Sequence, residues 1–247
     1  MKRKPTPPER LRYMHDQLIE AYGPQFWWPA QTPFEVILGA YLTQNTAWKS
    51  VERSLANLRA AGALTLDGLR SIAVEDLQTL IRPSGFHTRK AAALKAFVDM
   101  LDGEFSRSLD QLAATPTEIL RNRLLALPGV GPETADAILL YALAHPVPVA
   151  DECLRRIAER HRLLAPVPGR RGYESLATLT LQAFASDSPA DQARLFNEAH
   201  ALVVAVGKTH CGRVPSCTGC PLAGDLQFAN QALVSGKEYN QRVKKTH

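Results

Sequence analysis

Apolar residues recur every three to four positions along almost the whole of this 247-residue chain. Leu11, Met14 and Leu18 form one such stripe and Val36, Ile37, Ala40 and Tyr41 another, while the strict alternation that a half-buried strand needs is nearly absent. That periodicity restricts the fold to the all-α class. It predicts a first helix over 5–22, a loop over 25–33, a second helix over 34–43, and a third after the polar interruption Thr43-Gln44-Asn45-Thr46. Further on, two stretches share a layout: a helix over 74–81, a loop at Gly85 and a helix from Arg89, then a helix over 116–126, a loop over 127–131 and a helix from Pro132. Thr115-Pro116-Thr117-Glu118 has the form of a capping box, and Gly131-Pro132-Glu133 opens the next helix with proline in its first turn.

No run approaches the roughly 20 apolar residues of a membrane span, and Lys2-Arg3-Lys4-Pro5 leads into charged residues instead of an apolar signal core. A cytoplasmic, nucleoid-associated monomer is the expectation. The net charge of +5 suits a polyanionic partner and is equally common in proteins that bind no nucleic acid. Cys153 stands alone, whereas Cys211, Cys217 and Cys220 fall within ten residues, a spacing that suits metal ligation in a reducing compartment better than a disulfide framework.

The turn Leu127-Pro128-Gly129-Val130-Gly131 joins two helices with glycines that let a backbone approach closely, and it leaves free amides at the start of the next helix. Such amides suit a DNA phosphate, and the same turn also serves as a plain interhelical link. The second helix stops before Pro146, and the extended run Val147-Pro148-Val149-Ala150 delivers a single carboxylate, Asp151. There it could stabilise a cationic sugar and help to activate water; an aspartate at such a junction also acts as an N-cap.

Leu42-Thr43-Gln44-Asn45-Thr46, the turn of 127–135 followed by Asp151, and the Cys211 cluster occur in one order over roughly residues 30–225, and together they resemble the endonuclease III branch of the helix–hairpin–helix DNA glycosylases. The resemblance implies two helical lobes flanking a DNA-binding cleft: a central lobe of 34–145 with the helix–hairpin–helix at about 116–143, and a second lobe of 1–33 plus 146–230, followed by a basic tail at 231–247. It implies double-stranded DNA with a damaged base as partner, a flipped nucleotide, and Asp151 as the catalytic aspartate. Gly129 and Gly131 would grip the backbone, Gln44 would fill the gap left by the base, and Phe86 would wedge against the opposite strand.

Members of the family that also cut the strand carry a lysine early in the second hairpin helix, where this chain has Glu133. A carboxylate cannot form an imine, so the resemblance implies a monofunctional glycosylase with water as nucleophile, unless Lys208 or Lys90 supplies an amine. Glu133 also suits a helix start. Trp27, Trp28 and Trp48 bracket the Gln44 segment; Trp28 and Trp48 are candidate walls for an electron-poor alkylated purine, as in the 3-methyladenine-releasing members, with oxidised pyrimidines as the alternative substrates and core packing as the alternative role.

The Cys211-x5-Cys217-x2-Cys220 loop resembles the family's [4Fe–4S] loop, with the first gap one residue short and Leu226 in place of the fourth cysteine. Asp225 is the candidate fourth ligand; zinc bound with His210, or an empty site, are the alternatives. Two other readings compete, a non-catalytic DNA-binding module that kept the hairpin and a small metal-loop interaction protein, and Asp151 in register favours the enzyme.

Overall fold

A computed structural model of the protein describes residues 3–229, so the expected basic tail lies outside the described residues. The elements are α1 (Pro7–Tyr22), α2 (Pro33–Thr43), α3 (Trp48–Ala60), α4 (Leu66–Ser71), α5 (Val74–Leu80), α6 (His87–Glu104), α7 (Leu109–Ala114), α8 (Thr117–Leu125), α9 (Pro132–Ala137), α10 (Glu152–Arg160), α11 (Gly169–Ala183) and α12 (Pro189–Thr209). A π-helical turn, Ile138–Ala142, continues α9, and 3-10 turns occupy Arg82–Ser84 and Ala223–Asp225. No strand occurs among the described residues, as the helical periodicity requires. No helix among them is long and apolar enough to cross a membrane.

The fold divides into two compact units, one of Trp28–Val147 and one of the described residues on either side of it. In the central unit, α2 is apolar all round and buried from Phe34 to Leu42, so it must be wrapped, and α3, α6 and the π turn pack against it. Tyr41 and Phe97 meet edge to face there, with ring centroids 6.2 Å apart. Thr32 starts α2 by accepting the Glu35 amide at 3.1 Å, and Pro33 occupies its first turn. The capping box expected at Thr115 does not form: α8 starts at Thr117 without a side-chain cap, because the Thr115 hydroxyl is turned back to donate to the Gln111 carbonyl at 3.0 Å.

In the flanking unit, α1 packs on α11 and α12, and α10 packs on α12. A capping box forms here, at Thr6 and Glu9, whose side chains each accept the other's backbone amide. The turn at Ala223–Asp225 is tied to α1 through Asp225, which is fully buried. Its two oxygens accept from Arg10 Nε at 2.9 Å and from Arg10 Nη2, and Oδ2 also lies 2.9 Å from His161 Nδ1. Arg10 Nη2 donates in addition to the His161 carbonyl at 2.7 Å. Burial alone would raise the Asp225 carboxyl, yet the bonds from His161 and Arg10 outweigh it and hold the group below its ordinary value. Asp225 therefore serves as an internal counter-ion, and the expectation that it ligates a cluster is corrected: its oxygens are committed to Arg10 of α1 and to His161, the residue that follows α10.

Removing one partner of a buried pair leaves an uncompensated charge, at a cost of about 3–5 kcal/mol. Asp225→Asn should lower the free energy of unfolding in urea by that order. Because the folded-state pKa is depressed, the difference from wild type should be full above the ordinary carboxylate range and shrink as the pH falls through it. A loss under about 1 kcal/mol would show that the pair does not anchor this turn.

Candidate functional site

The hairpin between α8 and α9 is presented outward: Pro128, Gly129 and Gly131 are exposed, while Val130 is buried and pins the turn to the core. Gly129 has φ 75°, a conformation that favours glycine, and a Cβ at Gly131 would meet nothing within 4 Å, so the turn has room for a ligand. Arg121 on α8 grips the buried Asp136 on α9 with bonds of 2.6 and 2.9 Å, which sets the two helices against each other. Glu133, in the first turn of α9, is exposed.

Two further segments reach this hairpin's neighbourhood within the same unit. Gln44 ends α2, and its side-chain amide donates to the Gly129 carbonyl at 3.0 Å and to Thr134 Oγ1 at 2.9 Å. Phe86, at φ 46° beside Gly85, heads α6 and is 62% exposed. Burying a large aromatic is strongly favoured, so an exposed one on left-handed backbone is held there by its surroundings. Lys90 lies beneath both segments, buried, with Nζ donating at 2.8 Å to each of the Leu42 carbonyl, Thr46 Oγ1 and the Ser84 carbonyl. Burial pushes its ammonium down to about 8. An amine engaged in this way is not placed to attack a sugar.

Trp28 forms an aromatic group with Trp48, at 5.6 Å between centroids and 75° between planes, and with Tyr141, at 5.3 Å and 64°. All three are partly exposed, and Trp28 lies against Gly39, where a Cβ would stand 3.2 Å from the indole. Tyr141 was not singled out by the sequence: it sits in the π turn, whose wider hydrogen-bond spacing shifts side chains off the 3.6-residue register. Its one legible signal was an aromatic ring outside the apolar stripe of Ile138, Leu139, Ala142 and Leu143.

In the flanking unit, Asp151 is the N-cap of α10, its Oδ1 accepting the Leu154 amide at 2.8 Å. Its side chain is largely but not wholly covered, and Oδ2 lies 3.9 Å from His200 Nε2 on α12, a neighbour that the sequence did not indicate. Burial holds the His200 imidazole below its ordinary value despite the opposing pull of Asp151. The imidazole therefore stays mostly neutral near pH 7 and does not cancel the carboxylate's charge. Cys153 is pushed up to about 12, chiefly by burial, and is an inert thiol packed against Gly207. Lys208 Nζ lies 5.7 Å from the centroid of the Trp27 ring, a cation–π arrangement.

The cysteine loop does not assemble a cofactor site. Cys211 is buried, with its sulfur accepting from Arg160 Nη1 at 2.9 Å, Cys220 is partly covered and Cys217 is exposed. His210 Nδ1 is 3.0 Å from the Ser216 carbonyl and faces the loop's own backbone. Among the described residues no group of three or more His, Cys, Asp or Glu side chains is gathered to hold a metal. With Asp225 committed elsewhere, the donor set does not fit a four-ligand cluster.

These features coincide with one family. The model for the HhH-GPD superfamily of base excision DNA repair proteins matches residues 38–180. The chain belongs to the HhH-GPD superfamily. A Methanocaldococcus jannaschii protein assigned by inference as a DNA repair glycosylase is 36% identical over 216 residues, covering 87% of this chain and 94% of the relative. The crystal structure of an H. pylori 3-methyladenine DNA glycosylase bound to 1,N6-ethenoadenine is similar at 28% identity and a TM-score of 0.67, over 83% of this chain and 98% of that one. An endonuclease III in a non-covalent complex with DNA shares the fold, with a TM-score of 0.73 at 19% identity over 92% of this chain and 98% of that one. As a member of the superfamily with such relatives, the protein is a DNA N-glycosylase of base excision repair.

The depressed Lys90 has a readable consequence for this HhH-GPD fold. Since the folded-state pKa of about 8 lies below the ordinary lysine value of 10.5, the folded protein loses this proton first, and stability should rise as pH climbs through that window. Lys90→Met should lack the rise. The difference between the two unfolding free energies should move in favour of wild type by on the order of 2 kcal/mol between pH 8 and 10.5. A flat difference would mean that the ammonium is well solvated.

Proposed function

We propose that this glycosylase is monofunctional and releases alkylated purines from duplex DNA. The observation that carries the first half is Glu133: at the position where strand-cutting members have lysine, this chain has an exposed carboxylate. Lys90 and Lys208 do not change the reading, the one being buried under three hydrogen bonds and the other stacked over Trp27.

The alkylated-purine reading is supported by the group of Trp28, Trp48 and Tyr141 and by the H. pylori relative, a 3-methyladenine glycosylase solved with 1,N6-ethenoadenine. A purine alkylated on a ring nitrogen is positively charged or electron-poor, and indole and phenol faces attract it more than a normal base. Its leaving group is activated already. When the N-glycosidic bond of a cationic base such as 7-methylguanine breaks, the bonding pair departs with the base, which leaves neutral and needs no proton from the protein; an uncharged adduct such as 1,N6-ethenoadenine takes up a proton as it leaves.

The sugar is then an oxocarbenium-like cation. In this reading Asp151 stabilises that charge through Oδ2, the oxygen not used by the Leu154 amide, and accepts the proton of the water that attacks C1′. A neutral His200 leaves the carboxylate's charge available for the cation. Gly129 and Gly131 hold a phosphate near the lesion, Gln44 fills the vacated stack and Phe86 presses on the opposite strand. Phosphate grip makes affinity fall with salt. No step runs through an iron–sulfur cluster.

The test is a panel of duplexes carrying 7-methylguanine, 1,N6-ethenoadenine, an oxidised pyrimidine, uracil or an abasic site, assayed with and without alkaline work-up. Alkylated purines should be released fastest and strands should break only after alkali. Asp151→Asn should slow release by about 100-fold or more while duplex binding holds. Borohydride-trapped protein–DNA adducts, or preference for the oxidised pyrimidine, would contradict the proposal.

A further inference from the structure

We infer that Lys90 is a positioning residue that locks the Gln44 and Phe86 segments into one rigid base-extrusion device. The inference rests on the reading of Gln44 and Phe86 as side chains that enter the duplex, and it adds the element that sets their spacing.

The three acceptors of Nζ are distributed over both segments. The Leu42 carbonyl lies two residues before Gln44, Thr46 Oγ1 two residues after it, and the Ser84 carbonyl two residues before Phe86. Thr46 Oγ1 itself lies 2.7 Å from the Ser84 carbonyl and 2.9 Å from the Gln44 carbonyl, so the hydroxyl closes the same network from the other side. From there Gln44 Nε2 reaches the hairpin through the Gly129 carbonyl and Thr134 Oγ1. One chain of hydrogen bonds thus connects the Ser84 end of the Phe86 segment, Gln44 and the hairpin turn.

Every bond the ammonium makes is to a neutral oxygen, two of them carbonyls at the C-terminal ends of α2 and of the Arg82–Ser84 turn. Burying a charge without a counter-charge is costly. What three tetrahedrally spread donors supply is a fixed distance between two loops, held by strong charge-assisted bonds. Two side chains that must enter a duplex together need that distance fixed before DNA arrives, because small misplacement of a reacting assembly costs up to about 100-fold.

The test separates extrusion from chemistry. In an Asp151→Asn background, a duplex with 1,N6-ethenoadenine and a neighbouring 2-aminopurine reports unstacking by fluorescence, whether or not the wild type later releases the base. Lys90→Met in that background should reduce the unstacking equilibrium about tenfold, while affinity for undamaged duplex stays within about twofold. Thr46→Val, which removes one acceptor and keeps the charge, should reduce it about threefold and carries the test if Lys90→Met does not fold.

With Asp151 intact, the single-turnover rate on 7-methylguanine paired with cytosine should fall in Lys90→Met about tenfold more than the rate on the same lesion in a single strand. Unchanged unstacking in both variants, or equal losses on paired and single-stranded lesions, would overturn the inference. Failure of the wild type to release any base would instead strike the proposed function and leave the unstacking measurement standing.

Discussion

The N-cap bond from the Leu154 amide to Asp151 is the constraint around which the flanking unit's chemistry is arranged. It takes one carboxylate oxygen and fixes the plane of the other, so the charge cannot swing away from its place at the head of α10. His200 then borders that second oxygen without neutralising it, and Gly207 allows α12 to approach α10 as closely as Cys153 permits. The N-cap role and the proposed chemical role reside in the same side chain. The N-cap alternative raised by the sequence is therefore correct as a description of one oxygen, and it leaves the other for the role proposed.

The central unit solves a different problem, which is to present three loops in fixed relation. Loops ordinarily sit on the surface and move more than the helices they join. Here the Gln44 segment, the Phe86 segment and the hairpin are tied by side-chain donors, with Lys90 and Gln44 as the two nodes. The buried pair of Arg121 and Asp136 keeps α8 and α9 from shifting under the turn. Beside this frame the π turn brings Tyr141 to Trp28, and Trp28 settles on Gly39 where a larger residue would collide.

Much of this could be read from the residues in order. Periodicity reports burial directly, so α1, α2, α3, α5, α6, α8 and α9 and the absence of strands among the described residues followed from it, whereas the six-residue helices α4 and α7 are too short to show a period. The hairpin was legible because Gly129, Gly131 and Pro132 have backbone requirements that few other residues meet. What escaped depended on partners distant in the chain or on exceptions to the helical period. Asp225 looked like a metal ligand because its cysteine neighbours are close in sequence, whereas Arg10 lies 215 residues away. Lys90 stood in the sequence only as an alternative amine, and its three acceptors, two carbonyls and a hydroxyl, come from segments distant in the chain. Tyr141 falls on the wrong face of an ideal helix and on the right one only after the π turn. Thr115 fits a capping pattern, but its hydroxyl had a nearer acceptor in the turn behind it.

The central claim is electrostatic: the carboxylate at position 151 favours a cationic sugar. The most direct measurement compares binding of duplexes that carry a protonated pyrrolidine abasic analogue or its neutral tetrahydrofuran counterpart, since a group that acts in the transition state must bind its mimic more tightly. The account predicts that wild type prefers the cationic duplex by about tenfold or more and that Asp151→Asn binds the two alike. Equal preference in both proteins would contradict it.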